Sequence, residues 1–241
     1  MPPDAPPAGP LIIAHRAGNN LADLSEAFAV GVDYAETDVW FHRGRLEVRH
    51  DKTAGPIPFL WDRWSLKPSW APRLLLDEVL AAASQRGRLL LDLKGREAGL
   101  ADAMADAIGR ADAAGTVAFC GGWRHLDRLR ELVPQAPVLY TVGTLERLEE
   151  LRPRLARRDV TGVSDVMGVS GVTGVSIDSR ILTARIVSDL REAGVETIVS
   201  WHVETEETAR RLLSWGVNGF TSDSLALLAA IREGRIEVST A

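Results

Sequence analysis

The sequence predicts an α/β protein that folds as a single (β/α)8 TIM barrel over residues 11–241. Short β-rich segments alternate with amphipathic helical segments eight times along the 241-residue chain. Each repeat therefore takes about 30 residues, the length of a βα unit with short loops, and about 250 residues is the usual size of the whole barrel. Because helical crossovers between neighbouring strands make those strands parallel, eight such units are expected to close into a barrel.

The strand segments are recognised by their aliphatic and β-branched residues, and the helical segments by apolar residues three or four positions apart. We predict strands at 11–14, 34–41, 89–94, 117–120, 138–142, 174–178, 197–201 and 219–221. We predict helices at 21–31, 76–85, 98–113, 126–132, 145–156, 182–193 and 204–215, with a last helix ending near 232.

One hairpin interrupts this rhythm, since residues 46–50 follow the second strand across a turn at 43–45. Residues 51–73 carry four prolines together with Trp61, Trp64 and Trp70. We interpret them as a loop insertion over the active-site face, and we also predict a loop at 161–176, where Gly-Val-Ser recurs with weak periodicity.

Composition excludes several classes of protein. Hydrophobic residues make up 46% and charged residues 25%, as in ordinary globular domains. The net charge of −5, without a block of like charges, offers no electrostatic basis for general nucleic-acid binding. The single cysteine, Cys120, excludes an intrachain disulfide and a thiolate zinc cage, and we expect it to be a small buried hydrophobe.

The beginning of the chain predicts a flexible leader. Residues 1–10 contain five prolines and one charged side chain, and the apolar segment that follows has only four residues. This is too short for a signal peptide, and no segment approaches the roughly 18 apolar residues of a membrane span. We expect a soluble, cytoplasmic protein, with secretion through a signal segment absent from this sequence as the alternative.

Acidic residues at strand ends predict a metal site. In a β/α barrel the reactive groups lie at the C-terminal ends of the strands. With a side-chain period of two, Glu36 and Asp38 share one face of the second strand, and Asp92 and Lys94 share one face of the third. Three converging carboxylates would repel one another, and one Mg²⁺ or Ca²⁺ ion would relieve that repulsion. We therefore predict Glu36, Asp38 and Asp92 as ligands of one divalent cation.

Two histidines and two cations complete the predicted site. His15 and Arg16 follow the first strand, and His50 ends the hairpin. Imidazoles titrate near neutral pH and can act as general acid and base, while Arg16 and Lys94 complement the charge of a phosphate. The combination indicates phosphodiester cleavage.

The remaining histidines receive weaker interpretations. His42 lies beside a turn and His125 begins a helix, so we expect both to be solvated. His202 follows the seventh strand, and its role stays open.

These motifs together resemble the glycerophosphodiester phosphodiesterase family. They occur in the order typical of that family and span roughly 210 residues. The matching segments are Ala14-His15-Arg16, Glu36-Thr37-Asp38-Val39, Val48-Arg49-His50-Asp51, Leu91-Asp92-Leu93-Lys94, Val199-Ser200-Trp201 and Gly216-Val217-Asn218-Gly219-Phe220-Thr221-Ser222-Asp223.

The resemblance implies metal-dependent hydrolysis of small glycerophosphodiesters to glycerol 3-phosphate and an alcohol. It implies that His15 and His50 are the catalytic pair and that Trp201 is a pocket wall. It also implies phosphate contacts by Arg16 and Lys94, with Asp92 as the third metal ligand.

Two departures leave alternatives open. The family usually continues its His-Arg-Gly with Pro-Glu-Asn-Thr, whereas Ala17 and Gly18 here lead into Asn19-Asn20-Leu21-Ala22-Asp23-Leu24, which affects the contacts to glycerol.

The second departure is Asp92, which replaces the glutamate usual in bacterial members. An aspartate at this position is similar to the sphingomyelinase D type phospholipases of the same superfamily. Those enzymes cleave choline lipids through a cyclic phosphate, but they are secreted and disulfide-bonded, so this lysophospholipase D or sphingomyelinase D activity ranks second. Transient contact with amphiphilic lipid fits it, and a catalytically weak barrel that binds phosphodiesters ranks third.

Overall fold

The computed structural model describes residues 9–53, 59–62, 65–68, 70, 72–155 and 172–236. The Pro-rich leader predicted at 1–10 lies almost wholly outside these residues, as do Trp64 and most of the segment at 161–176. Of the described residues of that second segment, 172 and 173 lie outside any helix or strand, as predicted, whereas the loop prediction is wrong for 174–176, which belong to a strand that begins at Gly174.

The described residues form an eight-stranded parallel barrel with a helix after each strand, as predicted. Strand and helix ends differ from the predicted ones by at most three residues. The barrel strands are β1 (Leu11–Ala14), β2 (Tyr34–His42), β8 (Leu89–Lys94), β9 (Val117–Gly121), β10 (Tyr140–Val142), β11 (Gly174–Asp178), β12 (Thr197–Trp201) and β13 (Gly219–Ser222). The helices are α1 (Leu21–Val30), α2 (Leu76–Ala83), α3 (Leu100–Ala111), α4 (Trp123–Leu132), α5 (Leu145–Leu155), α6 (Ala184–Glu192), α7 (Glu206–Ser214) and α8 (Leu225–Arg232).

The strands follow one another around a closed ring. Strand β13 pairs with β1, β1 with β2, β2 with β8 and β8 with β9, all in parallel. The ring closes just before β10, where the Phe119 N–H donates to the Pro137 carbonyl at 2.9 Å and the Leu139 N–H to the Phe119 carbonyl at 2.8 Å. The C-terminal ends of all eight strands therefore surround one mouth.

Several helices begin after a polar residue whose side chain caps the N-terminus of the helix. The side chain of Asn20 accepts a hydrogen bond from the Ala22 N–H and caps α1, and Thr183, Thr205 and Ser224 cap α6, α7 and α8 in the same way. Each of these caps satisfies a backbone donor that the first helical turn leaves unpaired. Apart from the insertion between β2 and α2, one to six residues separate each barrel strand from the helix that follows it, so these loops at the mouth are short.

The segment after β2 is more ordered than the sequence indicated. The hairpin strand β3 (Arg45–Val48) runs antiparallel to β2, as expected, and pairs with β7 (Leu74–Leu75). The prediction of a loop at 51–73 is wrong for its described residues, because β4 (Lys52–Thr53), β5 (Phe59–Asp62) and β6 (Ser65–Pro68) form an antiparallel sheet. The prolines concealed this pattern, since a proline such as Pro68 is tolerated on an edge strand.

Two apolar layers stabilise the barrel. Inside the ring, Ile13, Leu90, Cys120 and Val199 pack against one another with side chains that are almost completely buried. Outside the ring, alternate residues such as Ile12 pack against the helices in a much larger cluster. This interior layer fills the middle of the ring. The polar side chains that also face inward therefore lie at the mouth, nearer the C-terminal ends of the strands. Among the described residues, no helix combines the length and the apolar composition that crossing a membrane requires.

Candidate active site

The loop after β1 carries the first two candidate residues. The His15 N–H donates to the Ser222 carbonyl at 2.9 Å, so the chain leaves β1 still bonded to β13. Arg16 then adopts a left-handed conformation with φ of 54°, and its N–H donates to Glu36 Oε2 at 2.7 Å. A non-glycine residue in this region costs free energy and is enriched at functional sites, and here it aims a backbone donor at a buried carboxylate.

The three predicted acidic residues meet at the mouth. Glu36 and Asp38 lie on the interior face of β2, and Asp38 is the register partner of Asp92 on β8. One oxygen of each of the three carboxylates lies within 4.8 Å of the other two. Glu36 and Asp38 are almost fully buried, and the side chain of Asp92 is 18% exposed.

Lys94 and Asn19 partly balance this cluster. Lys94 Nζ lies 2.8 Å from Asp38 Oδ1 and also donates to Asp92 Oδ2. The Asn19 side chain donates to Asp38 Oδ2 at 2.7 Å and accepts from the Asp38 N–H at 2.8 Å. Sequence reasoning missed this role of Asn19. The signal for it is an amide residue three positions after Arg16, at the end of the short 3-10 turn that follows the His-Arg pair.

The electrostatics of the cluster differ from residue to residue. Burial raises the pKa of Glu36 well above its ordinary value, and the carboxylates of Asp38 and Asp92 raise it further. Burial would also raise the pKa of Asp38, but Lys94 and Asn19 outweigh it and leave that pKa lowered. Burial would lower the pKa of Lys94, yet the surrounding carboxylates raise it, so Lys94 stays protonated.

This donor set fits a divalent cation. Carboxylate oxygens are the hard ligands that Mg²⁺ and Ca²⁺ prefer. The pKa of Glu36 is raised first by burial and then by the like charge of Asp38 and Asp92, which Lys94 only partly offsets, and a bound cation would counter that like charge. Glu36, Asp38 and Asp92 are therefore the residues that would hold such an ion.

His15 is oriented by a carboxylate. Its Nδ1 donates to Asp223 Oδ1 at 2.7 Å, so the neutral ring presents Nε2 as an acceptor. Burial lowers the pKa of His15, Asp223 raises it, and Arg16 lowers it again, with a net lowering. His15 is thus a neutral proton acceptor at pH 7. Asp223 belongs to the last motif of the resemblance, but its partnership with His15 was not foreseen.

His50 has a different environment. Arg16 Nη2 donates to His50 Nε2 at 2.7 Å, and because a guanidinium can only donate, this nitrogen is the acceptor. The hairpin that carries His50 is held by a buried network in which Glu47 accepts from both Arg49 and Arg73. A continuous set of hydrogen bonds therefore runs from Glu36 through Arg16 to His50.

Trp201 lies on the opposite side of the mouth, at the end of β12. Its ring is 4.5 Å from that of His202, and it lies over Gly143. The buried Asp178 carboxylate, at the end of β11, lies 3.6 Å from His202 Nδ1. The structure thus places seven of the eight predicted site residues on, or within two residues of the ends of, β1, β2, β3 and β8, and it places Trp201 across the mouth at the end of β12.

Two other expectations have clear outcomes. Cys120 is buried inside the barrel as expected, and burial raises its pKa well above the ordinary value. The expectation that His125 is solvated is wrong, since only 2% of it is exposed. It lies in the first turn of α4, beside Gly122, where the helix packs on the barrel.

Solved structures share this fold. A glycerophosphodiester phosphodiesterase from Parabacteroides distasonis superposes with a TM-score of 0.68 at 20% identity, covering 95% of this chain and all (100%) of that one. An Oleispira antarctica phosphodiesterase, solved with the product sn-glycerol-3-phosphate, gives 0.66 at 22% identity over 92% and 96%. A glycerophosphodiester phosphodiesterase from Agrobacterium tumefaciens gives 0.62 at 19% identity over 92% and 99%. No protein-family model and no curated protein matches the sequence. The fold is therefore shared with these proteins over nearly the whole chain.

Proposed function

We propose that this protein hydrolyses glycerophosphodiesters to glycerol 3-phosphate and an alcohol with one divalent cation, as a member of the glycerophosphodiester phosphodiesterase family. One observation carries the proposal: the hydrogen bonds from Glu36 through Arg16 to His50, which join the carboxylate cluster to a histidine at the same barrel mouth. The shared fold supports it, because the superposed structures are described as enzymes of this reaction class and one was solved with glycerol 3-phosphate.

His15 is the proposed general base. Its Nε2 takes the proton of the attacking water, or of a neighbouring substrate hydroxyl, as the new P–O bond forms. Asp223 holds Nδ1 and stabilises the imidazolium that results. The lowered pKa of His15 keeps this base unprotonated at neutral pH.

His50 is the proposed general acid. As the P–O bond to the alcohol breaks, the leaving alkoxide takes a proton from His50 Nε2. That nitrogen accepts from Arg16 in the structure, so Arg16 has to release it and turn its guanidinium to a phosphate oxygen, and Nε2 has to take up a proton from solvent before it can donate one. Arg16 thus couples phosphate binding to the protonation of the acid, and Lys94 supplies further positive charge. A cation held by Glu36, Asp38 and Asp92 would polarise a phosphate oxygen.

The test is turnover of a substrate series. Purified protein is assayed with glycerophosphocholine, glycerophosphoethanolamine and glycerophosphoinositol, in EDTA and with added Mg²⁺ or Ca²⁺, and glycerol 3-phosphate is measured. We expect cation-dependent release that His15→Ala lowers by about 10² to 10⁴ and that His42→Ala, a matched variant at a partly buried histidine outside the candidate site, retains. Binding of these compounds without turnover would instead identify a phosphodiester-binding barrel.

A second candidate is a sphingomyelinase D type reaction on lysophosphatidylcholine or sphingomyelin. Asp92 and the exposed aromatic residues Trp61 and Trp70 favour it. A cyclic phosphate in the ³¹P NMR spectrum of the products would identify this reaction, whereas glycerol 3-phosphate identifies the first. A cytoplasmic location belongs to the first candidate and stays a prediction.

A further inference from the structure

The small sheet of β4, β5 and β6 has an exposed apolar face. Lys52 pairs with Trp61 and Trp61 with Leu66, so these three side chains lie on one side of the sheet. Phe59 and its partner Pro68 lie on the same side, and the ring of Trp70 packs 6.4 Å from that of Phe59. We call this set of six residues the aromatic face.

The aromatic face is unusual for its exposure. Trp61, Leu66 and Trp70 are 51%, 63% and 73% exposed, and they are three of the seven large apolar residues exposed in the described part of the chain. Single exposed apolar residues need no explanation, but a contiguous group of this kind marks an interaction site.

Positive charge borders this face. Lys52 Nζ lies 6.0 Å from the centre of the Trp61 ring. Arg43 and Arg45, exposed at the tip of the β2–β3 hairpin, line a cavity of about 420 Å³ together with Trp70. Glu47, which also lines that cavity, is already bonded to Arg49 and Arg73 and does not neutralise the two arginines.

The hairpin turn is built to present an arginine. Arg43 and Gly44 have φ angles of 50° and 77°, the left-handed pair of a two-residue hairpin turn. Asparagine or glycine is usual at the first of these positions because the conformation is costly for other residues. The presence of Arg43 at this position therefore favours a functional role for its positive charge at the hairpin tip.

We infer that the aromatic face and the hairpin tip form a docking surface for an anionic phospholipid membrane. Tryptophan is enriched at the membrane–water interface, and a surface that combines apolar and basic residues binds there by burying the former and attracting anionic headgroups with the latter. The net charge of −5 repels such a membrane, so attraction has to come from this local patch. A second copy of the chain is a poorer occupant, because a symmetric contact would place Lys52, Arg43 and Arg45 against their own equivalents.

The docking surface lies next to the candidate active site. On the other side of the small sheet, Lys67 Nζ donates to Asp51 Oδ2 at 3.1 Å, and Asp51 directly follows His50. Docking would hold the barrel mouth close to phosphodiesters at the membrane surface. Only this last consequence rests on the proposed function, and membrane binding itself does not.

The experiment is co-sedimentation of the full chain with vesicles in EDTA, with no substrate. We expect binding to mixed phosphatidylserine and phosphatidylcholine vesicles, weaker binding to phosphatidylcholine alone, and release as added salt shortens the screening length. Trp61→Ser with Leu66→Ser should weaken binding about tenfold, since each substitution removes an apolar side chain from the lipid contact. The matched control Leu132→Ser with Leu145→Ser removes two leucines that are 36% and 57% exposed outside this surface, and should leave binding unchanged.

A second pair of variants tests the charge. Arg43→Gln with Arg45→Gln should weaken binding to phosphatidylserine about tenfold without affecting the phosphatidylcholine control, and Arg185→Gln with Arg210→Gln on α6 and α7 should not. This pair leaves the aromatic face intact, so it decides the question if the serine variants fail to fold. The inference is overturned if the wild-type protein sediments with neither vesicle, or if the control variants weaken binding equally. It is also overturned if gel filtration shows a dimer that the serine variants dissociate while vesicle binding is absent.

Discussion

Replacing Glu36 by glutamine should stabilise the cation-free protein at neutral pH. Glutamine keeps the oxygen that accepts from the Arg16 N–H at 2.7 Å, so the substitution removes charge and little else. Burial and two neighbouring carboxylates hold the pKa of Glu36 well above its ordinary value. In the folded protein, ionised Glu36 is therefore a cost that glutamine does not have.

The size of this cost follows from the geometry. At the 4.8 Å limit of the cluster, each like-charge pair costs about 3.5 kcal/mol with an effective dielectric constant of about 20. Asp38 and Asp92 contribute two such pairs, and Lys94 offsets about one of them. The folded protein can avoid this repulsion by protonating Glu36. Protonating a carboxyl of ordinary pKa 4.5 at pH 7 costs about 3.4 kcal/mol, so the repulsion cannot destabilise the folded protein by more than about that amount. We expect Glu36→Gln to gain about 3 kcal/mol, or about 6 to 12 °C in Tm for a chain of this length.

The pH dependence has a definite sign. Because the folded-state pKa of Glu36 is raised, the protonated form of Glu36 favours the folded state. This contribution to stability is complete below pH 4.5 and is lost as the pH rises through the folded-state pKa. Thermal unfolding in EDTA should therefore show equal Tm values for the two proteins near pH 4 and a widening gap towards pH 7. Added Mg²⁺ or Ca²⁺ should raise the Tm of the wild type and leave that of the variant nearly unchanged.

Glu146→Gln, an exposed substitution in the first turn of α5, is the matched control and should change stability by less than about 0.5 kcal/mol. The reasoning is refuted if Glu36→Gln melts below the wild type in EDTA at pH 7. It is also refuted if both proteins gain the same Tm from the cations.

Four further substitutions test individual roles. His15→Ala and His50→Ala should each lower kcat by about 10² to 10⁴ with circular dichroism unchanged, and wild-type turnover in either would remove that histidine from the mechanism. Asp223→Asn removes an interaction that raises the pKa of His15, so the acid limb of the kcat/KM profile should move to lower pH while kcat falls; an unmoved limb would mean that Asp223 only supports the loop. Asn19→Ala should weaken Mg²⁺ or Ca²⁺ binding in calorimetry by about tenfold, because Asp38 loses the amide that orients it; unchanged affinity would contradict that role.

The barrel and the acidic cluster were predictable because both follow from local periodicity. A period of two places Glu36 and Asp38 on one face, and parallel strands bring their ends together, so no long-range information is needed. The pairing of His15 with Asp223 was not predictable in this way, since it joins residues 208 positions apart through the closure of β13 on β1. The small sheet was missed for a local reason, because its strands are short and the segment that contains them carries four prolines.

The position of Cys120 makes the barrel interior accessible to a simple chemical measurement. It is the only thiol of the chain, it is the register partner of Asp92, and it is buried beneath the carboxylate cluster. The thiolate is the form that reacts with alkylating reagents, and the raised pKa of Cys120 leaves almost no thiolate at neutral pH. Labelling can therefore proceed only when β8 and β9 separate enough to admit solvent. The rate of alkylation measures how often the floor of the site opens, and its slowing by Mg²⁺ or Ca²⁺ would report ligand binding without any substrate.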